Sequence, residues 1–114
     1  MNDYAVVLVT APDMDAARKL AQVCLESRTA ACVNIVTGLE SHYRWEGKIE
    51  HGDELLLLIK TTSDRLAALE ECVMTHHPYD TPEFVVLPVT AGSERYLKWI
   101  SDSVADLKDN KPQS

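Results

Sequence analysis

The chain has 114 residues, of which 46% are hydrophobic and 25% charged, and this is the composition of one folded domain rather than of a disordered or repetitive protein. Eighteen acidic residues against eleven basic ones leave a net charge of −7. Because an acidic surface repels phosphate groups, the charge argues against binding to nucleic acids and to anionic membranes.

The first element is an apolar segment, Tyr4 to Ala11. It is rich in β-branched residues and too short for a helix, so it predicts a strand buried on both faces. Pro12 interrupts this pattern, and Asp13 can cap a following helix. Apolar residues recur at helical spacing from Ala17 to Leu25, so we expect a helix that closes near Arg28.

The segment from 31 to 62 predicts a long β-hairpin. Its first arm is rich in β-branched residues and runs to Tyr43, and its second arm is the apolar strand Glu54 to Thr62. Two positions for the turn are compatible with the pattern. One is Glu46-Gly47, and the other is His51-Gly52-Asp53.

A second helix is predicted to start at Ser63 and to end before Pro78, because the residue before a proline is disfavoured in a helix. Phe84 to Thr90 then predicts the last full strand. Pro88 cannot donate a hydrogen bond to a neighbour, which indicates that this strand lies at a sheet edge. Ser93 is the expected cap of a third helix.

The resulting order, β-α-β-β-α-β followed by a helix, predicts an α+β sandwich of the ferredoxin-like type. In that arrangement the first and third strands are central, which suits their apolar composition, and the second and fourth are edges. Residues 1–104 are expected to form this single domain, and residues 105–114 a polar C-terminal tail.

Features of cellular location point to the cytoplasm. The first residues lack the basic and long apolar segments of a signal peptide, and no apolar run approaches the roughly 20 residues of a membrane span. The three cysteines are an odd number without close spacing, which indicates reduced thiols. Cys24 and Cys32 are expected to lie in the core.

Two adjacent histidines, His76 and His77, follow the second helix. They can be surface imidazoles favoured by the helix dipole, or ligands that reach one copper or zinc ion. Cys72 lies four residues before His76 and is either a further soft ligand or a small buried apolar residue. No CxxC or HxxxH spacing is present, so a closed structural metal site is not predicted.

The loop from His77 to Glu83 places polar side chains between two prolines. Rigid polar loops often carry function, although a tight helix-to-strand connection would have the same composition. Lys60 and Glu83 are expected to form a partly buried ion pair of structural type. Trp45 and Tyr43 lie on the hairpin, where exposed aromatic residues are typical of a partner surface.

Two common kinds of site have no support in the sequence. No serine or threonine has a recognisable base beside it, and the four glycines form no phosphate-binding loop.

Several segments taken together resemble the CutA divalent-cation tolerance proteins, and the resemblance runs from about Val6 to Ile100. The segments, in order, are VLVTAP, AACVNI, SHYRWEGKIE, ELLLLIKTT, HHPYDTPEFVVLPVT and YLKWI. The resemblance implies a homotrimer similar in architecture to the PII signalling proteins. It also implies a cytoplasmic protein linked to copper tolerance in bacteria, with no established catalytic reaction.

The resemblance also implies ligands. The family's proposed copper ligands are a cysteine just before the TAP segment and the two histidines, matched here by His76 and His77. Val9 stands where that cysteine would be. A valine cannot coordinate copper, so a Cu²⁺ or other divalent-cation site would depend on the two histidines.

A cleft between subunits is the candidate ligand site in such a trimer. Its candidate residues are Cys32, Trp45, Lys60, Tyr79 and Glu83. Three functions remain open: a trimer that binds a metal ion or small molecule, an uncharacterised enzyme using His77, Tyr79, Glu83 and Lys60, or a structural scaffold.

Overall fold

The computed structural model describes residues 3–105. The predicted order of elements is confirmed. In chain order they are β1 (Tyr4–Ala11), α1 (Met14–Glu26), β2 (Cys32–Trp45), β3 (Lys48–Thr62), a 3₁₀ turn (Ser63–Arg65), α2 (Leu66–His76), β4 (Val85–Pro88) and α3 (Glu94–Val104).

The four strands form one antiparallel sheet in the order β2-β3-β1-β4. The two apolar strands are therefore central and the other two are edges, as the ferredoxin-like fold requires. Strand β4 is shorter than predicted and ends at Pro88. Beyond it, only the Val89 N–H still reaches the Tyr4 carbonyl, at 3.0 Å.

Helices α1 and α2 pack on one face of the sheet and enclose the core. This face carries Val7 and Val9 of β1, paired with Ile59 and Leu57 of β3, and all four side chains are fully buried. The helices contribute apolar residues to the same cluster, namely Ala17, Leu20, Cys24, Leu69 and Val73.

We call the opposite side of the sheet the open face. It carries Val6 and Leu8, paired with Lys60 and Leu58, and these side chains are only half-buried. Helix α3 covers one end of it, where the Tyr4 hydroxyl lies 2.6 Å from Ser101 Oγ. The expectation that β1 is buried on both faces therefore holds for one face only, because no element other than α3 covers the second face within residues 3–105.

The hairpin of β2 and β3 turns at Glu46-Gly47, the first of the two predicted positions. Both residues have positive φ, 48° and 78°, which is the backbone of a type I′ turn. The alternative position at Gly52 lies inside β3. The arms are longer than predicted, and the molecule measures 58 × 27 × 22 Å.

A β-bulge interrupts β2. Val36 pairs with Leu56, but the next pair joins Leu39 to Glu54, so β2 advances three residues while β3 advances two. Gly38, with φ of 82°, lies at the bulge. Because side chains alternate along a strand, the extra residue turns the following odd-numbered side chains, Tyr43 and Trp45 among them, onto the open face.

The helix ends follow their capping residues. The Asp13 carboxylate accepts the Ala16 N–H at 2.8 Å, as predicted. Helix α1 ends before Arg28, which takes a left-handed φ of 58°. The expected start at Ser63 is a 3₁₀ turn. His77, the residue before Pro78, is extended as its position requires.

The predicted tail, residues 105–114, lies outside the described residues except for Ala105. Between residues 3 and 105, none of the helices has the length and apolar character needed to span a membrane.

Candidate functional site

A cleft of about 780 Å³ opens where the hairpin leaves the body of the sheet. Its floor is the open face, reached by Thr10 of β1, and its rim is the loop between α2 and β4. The lining residues are Thr10, Ser41, His42, Tyr43, Trp45, Glu50, Glu54, Pro78, Tyr79, Asp80, Thr81 and Glu83.

The lining combines acidic and aromatic side chains. Four carboxylates and three large aromatic side chains face the cleft, and neither a lysine nor an arginine is among the lining residues of the described chain. Carboxylate oxygens bind hard cations, and aromatic faces attract organic cations. The cleft is therefore suited to a positively charged ligand.

Glu54 affects the protonation of two neighbouring side chains, Tyr79 and Glu83. The Tyr79 hydroxyl donates to Glu54 Oε2 at 2.8 Å. Partial burial, followed by this bond and the charge of Glu54, raises the pKa of Tyr79 to about 12. Partial burial and then the charge of Glu54 also raise the pKa of Glu83 above its usual range. A cation that neutralised Glu54 and Glu83 would relieve this repulsion.

His77 holds the rim of the cleft in place. Its ring is buried, with Nε2 2.7 Å from the Thr10 carbonyl oxygen. The Tyr79 N–H donates to its Nδ1 at 3.0 Å. A carbonyl only accepts and an N–H only donates, so His77 is a neutral imidazole with its proton on Nε2. A metal ion could bind this ring only by replacing one of these bonds.

The His76 side chain, unlike that of His77, bonds to its own helix. Its Nδ1 lies 2.9 Å from the Cys72 carbonyl oxygen of its own helix, which leaves Nε2 as the nitrogen with the lone pair. Val9, at the position of the family's cysteine, is fully buried in the core. Across residues 3–105, no group of three or more His, Cys, Asp or Glu side chains is arranged to hold a metal ion.

Two of the five candidate ligand residues lie apart from the cleft. The Lys60 ammonium donates to Asn34 Oδ1 at 2.7 Å and lies 5.8 Å from the centre of the Tyr96 ring. Cys32 Sγ is 3.7 Å from the same Asn34 oxygen. We call Cys32, Asn34, Lys60 and Tyr96 the lysine cluster.

The predicted ion pair of Lys60 with Glu83 is not formed among the described residues of the protomer. Lys60 lies six residues from the cleft residue Glu54 along β3, and six residues of strand span roughly 20 Å. The fold of the single chain therefore brings together Trp45, Tyr79 and Glu83, and it keeps Lys60 and Cys32 in a separate cluster on the open face.

Sequence reasoning missed part of the cleft, above all Glu50, Glu54 and Asp80. The position of Glu50 could have been found from the position of the hairpin turn, because the turn fixes which residues of β2 and β3 pair. With Glu46-Gly47 as the turn, Tyr43 pairs with Glu50. Glu54 then lies on the same face as Glu50, four residues further along β3.

A sequence model of the CutA1 divalent ion tolerance proteins matches residues 5–103. The chain is 49% identical over 98 residues to "Protein CutA, chloroplastic" of Arabidopsis thaliana, covering 86% of this chain and 54% of that longer protein. It is 48% identical over 98 residues to a divalent-cation tolerance protein CutA of Thermus thermophilus, covering 86% of this chain and 95% of the relative.

Solved structures show the same fold. A divalent cation tolerance protein of Thermus thermophilus superimposes with a TM-score of 0.86 at 47% identity, covering 88% of this chain and 97% of that one. CutA1 of Oryza sativa gives 0.86 at 45% identity, covering 90% and 94%. A protein described as the periplasmic divalent cation tolerance protein CutA of Archaeoglobus fulgidus gives 0.87 at 35% identity, covering 90% and 99%.

Proposed function

The chain belongs to the CutA1 divalent ion tolerance family, and from this premise we propose that it is a homotrimer that binds divalent cations at the cleft. The observation that carries the proposal is the lining of the cleft, which includes Glu50, Glu54, Asp80 and Glu83 and, among the described residues, neither a lysine nor an arginine. Such a lining favours cations over anions.

Support for a trimer comes from the surfaces that the protomer leaves uncovered. Strands β2 and β4 are the two edges of the sheet, and β4 exposes Val85, Val86 and Leu87. Exposed apolar edges favour pairing with another strand. Pairing of β2 with β4 of the next copy is a head-to-tail contact, and such contacts form a ring when the rotation between copies closes and a filament when it does not. The resemblance to PII-like trimers sets the proposed number of copies at three.

This assembly would also unite the two groups of candidate residues. Glu83 lies two residues before β4, and Cys32 is the first residue of β2. Pairing of these edges between copies would carry the loop of one subunit toward the lysine cluster of the next. We therefore propose that the lysine cluster of one subunit borders the cleft that holds Glu83 of the next, with the Lys60 ammonium still bonded to Asn34 rather than to Glu83.

The same assembly would complete the coordination of the cation. The protomer offers carboxylates but no ready-made group of three metal ligands among its described residues. Divalent cations such as Mn²⁺ and Mg²⁺ take carboxylate and water oxygens, so bound water and the neighbouring subunit would supply the remaining positions.

Titration with Mn²⁺ tests the proposal, because free Mn²⁺ is counted by its paramagnetic resonance signal and does not oxidise thiols. In Glu50→Gln/Glu83→Gln we expect the dissociation constant for Mn²⁺ to rise about tenfold or more, since two charged ligands are lost. His76→Ala, which lies outside the cleft, is the matched control and should bind as the unaltered protein does.

The same titration has a predicted pH dependence. Protons compete with the cation for Glu83, whose pKa is raised. Mn²⁺ binding should therefore begin to weaken at a higher pH, as the pH is lowered, than it would with an ordinary glutamate.

Equal Mn²⁺ affinity in the double variant and in the unaltered protein would contradict the cleft as the site.

Copper at the two histidines is the second candidate, and the lone-pair Nε2 of His76 is the observation that favours it. Under this alternative, His76→Ala would abolish Cu²⁺ binding while Glu50→Gln/Glu83→Gln retained it. The opposite pattern would assign Cu²⁺ to the cleft as well.

An enzyme built on His77, Tyr79, Glu83 and Lys60 has weaker support. Both ring nitrogens of His77 are hydrogen-bonded to the backbone, and Lys60 lies in the lysine cluster. A purely structural scaffold would bind neither Mn²⁺ nor Cu²⁺, so the titrations also separate it from the cation-binding trimer.

We place the protein in the cytoplasm on the basis of its three free cysteines. Its relatives include one named chloroplastic and one described as periplasmic, so family membership alone does not assign a compartment. Fractionation of the native cells, with the free thiols labelled at lysis, would test the assignment.

A further inference from the structure

Two cysteines that take no part in the cleft face each other on the other side of the sheet. Cys24 lies on α1 and Cys72 on α2, and their Sγ atoms are 3.9 Å apart although the residues are separated by 48 positions. The third cysteine, Cys32, begins β2 and lies beside Asn34.

The two thiols differ in access to solvent. Cys24 is fully buried, and burial together with the neighbouring Cys72 raises its pKa to about 12. Cys72 is only half-buried, and its Sγ lies 3.8 Å from the hydroxyl of the exposed Ser27. A small oxidant can therefore reach the Cys72 thiol first. The buried Cys24 thiol lies next to it, with its Sγ 3.9 Å from that of Cys72.

We propose that Cys24 and Cys72 form a reversible disulfide when the protein meets a peroxide. The Cys72 thiolate attacks one oxygen of hydrogen peroxide, the O–O bond breaks, and a sulfenic acid and hydroxide result. The Cys24 thiol then attacks the Cys72 sulfur, the S–O bond breaks, and the thiol proton passes to the departing hydroxyl group to form water. Overall, two thiols and one hydrogen peroxide give one disulfide and two waters. The thiols lose two electrons, and the peroxide gains them.

Formation of the disulfide requires a small movement of the two cysteine side chains. The sulfur atoms must approach from 3.9 Å to the bonded distance of about 2.05 Å. Rotation of the two side chains and a slight closing of α2 on α1 would supply this, because the helices are already in contact. The bond would join two helices that otherwise meet through apolar side chains, and it would close a loop containing β2 and β3.

Mass spectrometry of the intact chain tests the proposal. The reduced, full-length protein is treated with a small excess of hydrogen peroxide, unfolded, and alkylated. We expect a loss of two hydrogens, one alkyl group in place of three, a peptide linking Cys24 to Cys72, and full reversal by dithiothreitol. The matched control Cys32→Ser should still form the link and accept no alkyl group.

Two further variants keep the test decisive. In Cys24→Ser, dimedone should trap a sulfenic acid at Cys72, because the second thiol is missing. In Cys72→Ser no link within the chain should form. Three alkyl groups on the peroxide-treated protein, or a link that depends on Cys32, would overturn the proposal. Mn²⁺ binding does not involve these cysteines, so this result is independent of the proposed function.

Discussion

At the scale of single residues, His77 shows how a candidate ligand can have a structural role. Its two ring nitrogens join the Thr10 carbonyl of β1 to the Tyr79 N–H of the loop. The bond to Thr10 is buried and the bond to Tyr79 is partly buried, so the loss of the ring leaves polar groups without partners. The side chain therefore positions the rim of the cleft.

We expect His77→Ala to lower the free energy of unfolding by about 2 to 3 kcal/mol, because a buried donor and acceptor lose their partners. His76→Ala removes one bond to its own helix from a half-buried ring and should cost about 1 kcal/mol or less. Urea unfolding at a fixed chain concentration measures both. Equal losses would contradict the bridging role of His77.

Residue types alone identified part of the site. The two prolines and the polar residues between them pointed to the loop with Tyr79 and Glu83, and these residues do line the cleft. The hydrogen-bond partner of His77 could not be read from the sequence, because it is a backbone carbonyl 67 positions away. The same holds for Glu54, which meets Tyr79 only through the fold.

At the scale of elements, the bulge in β2 decides which side chains reach the cleft. Without the extra residue, the side chains of Tyr43 and Trp45 would alternate onto the other face of the sheet. Gly38 accommodates the bulge with a φ of 82°. This positive φ strains any residue that has a Cβ atom.

We expect Gly38→Ala to destabilise the protein by about 1 to 2 kcal/mol, because alanine disfavours a left-handed backbone. The hairpin offers a matched control. Gly52 has no positive φ, and a Cβ at either glycine would meet no atom within 4 Å. Gly52→Ala should therefore be neutral or slightly stabilising. Thermal unfolding compares the pair, and equal effects would contradict the role of the Gly38 backbone.

Hydrophobic periodicity and capping residues were enough to predict the order of the elements and the two sheet edges. Asp13, Ser93 and Pro88 each acted as the pattern indicated. The bulge was beyond such reasoning, because a one-residue slip depends on the pairing of two strands rather than on either alone. For the same reason the sequence alone does not decide which of the two glycine-containing segments forms the turn of the hairpin.

At the scale of the whole molecule, the protomer leaves surfaces that an assembly would cover. The open face carries half-buried apolar side chains, and the exposed apolar residues of β4 lie at its edge. Sequence reasoning predicted edges that need covering, but the number of copies came from the family resemblance. Interfaces depend on the shape of two surfaces, which periodicity within one chain does not describe.

The most direct test of the proposed cation-binding trimer is native mass spectrometry of the metal-stripped protein before and after addition of Mn²⁺. Two leucines of equal exposure provide the variants: Leu87 on β4 is 44% exposed, and Leu25 on α1 is 43% exposed. We predict three times the 12.7 kDa chain mass for the unaltered protein and for Leu25→Lys, both with bound Mn²⁺. Leu87→Lys should give single chains without Mn²⁺. A monomeric unaltered protein, or single Leu87→Lys chains that bind Mn²⁺ equally well, would contradict the account.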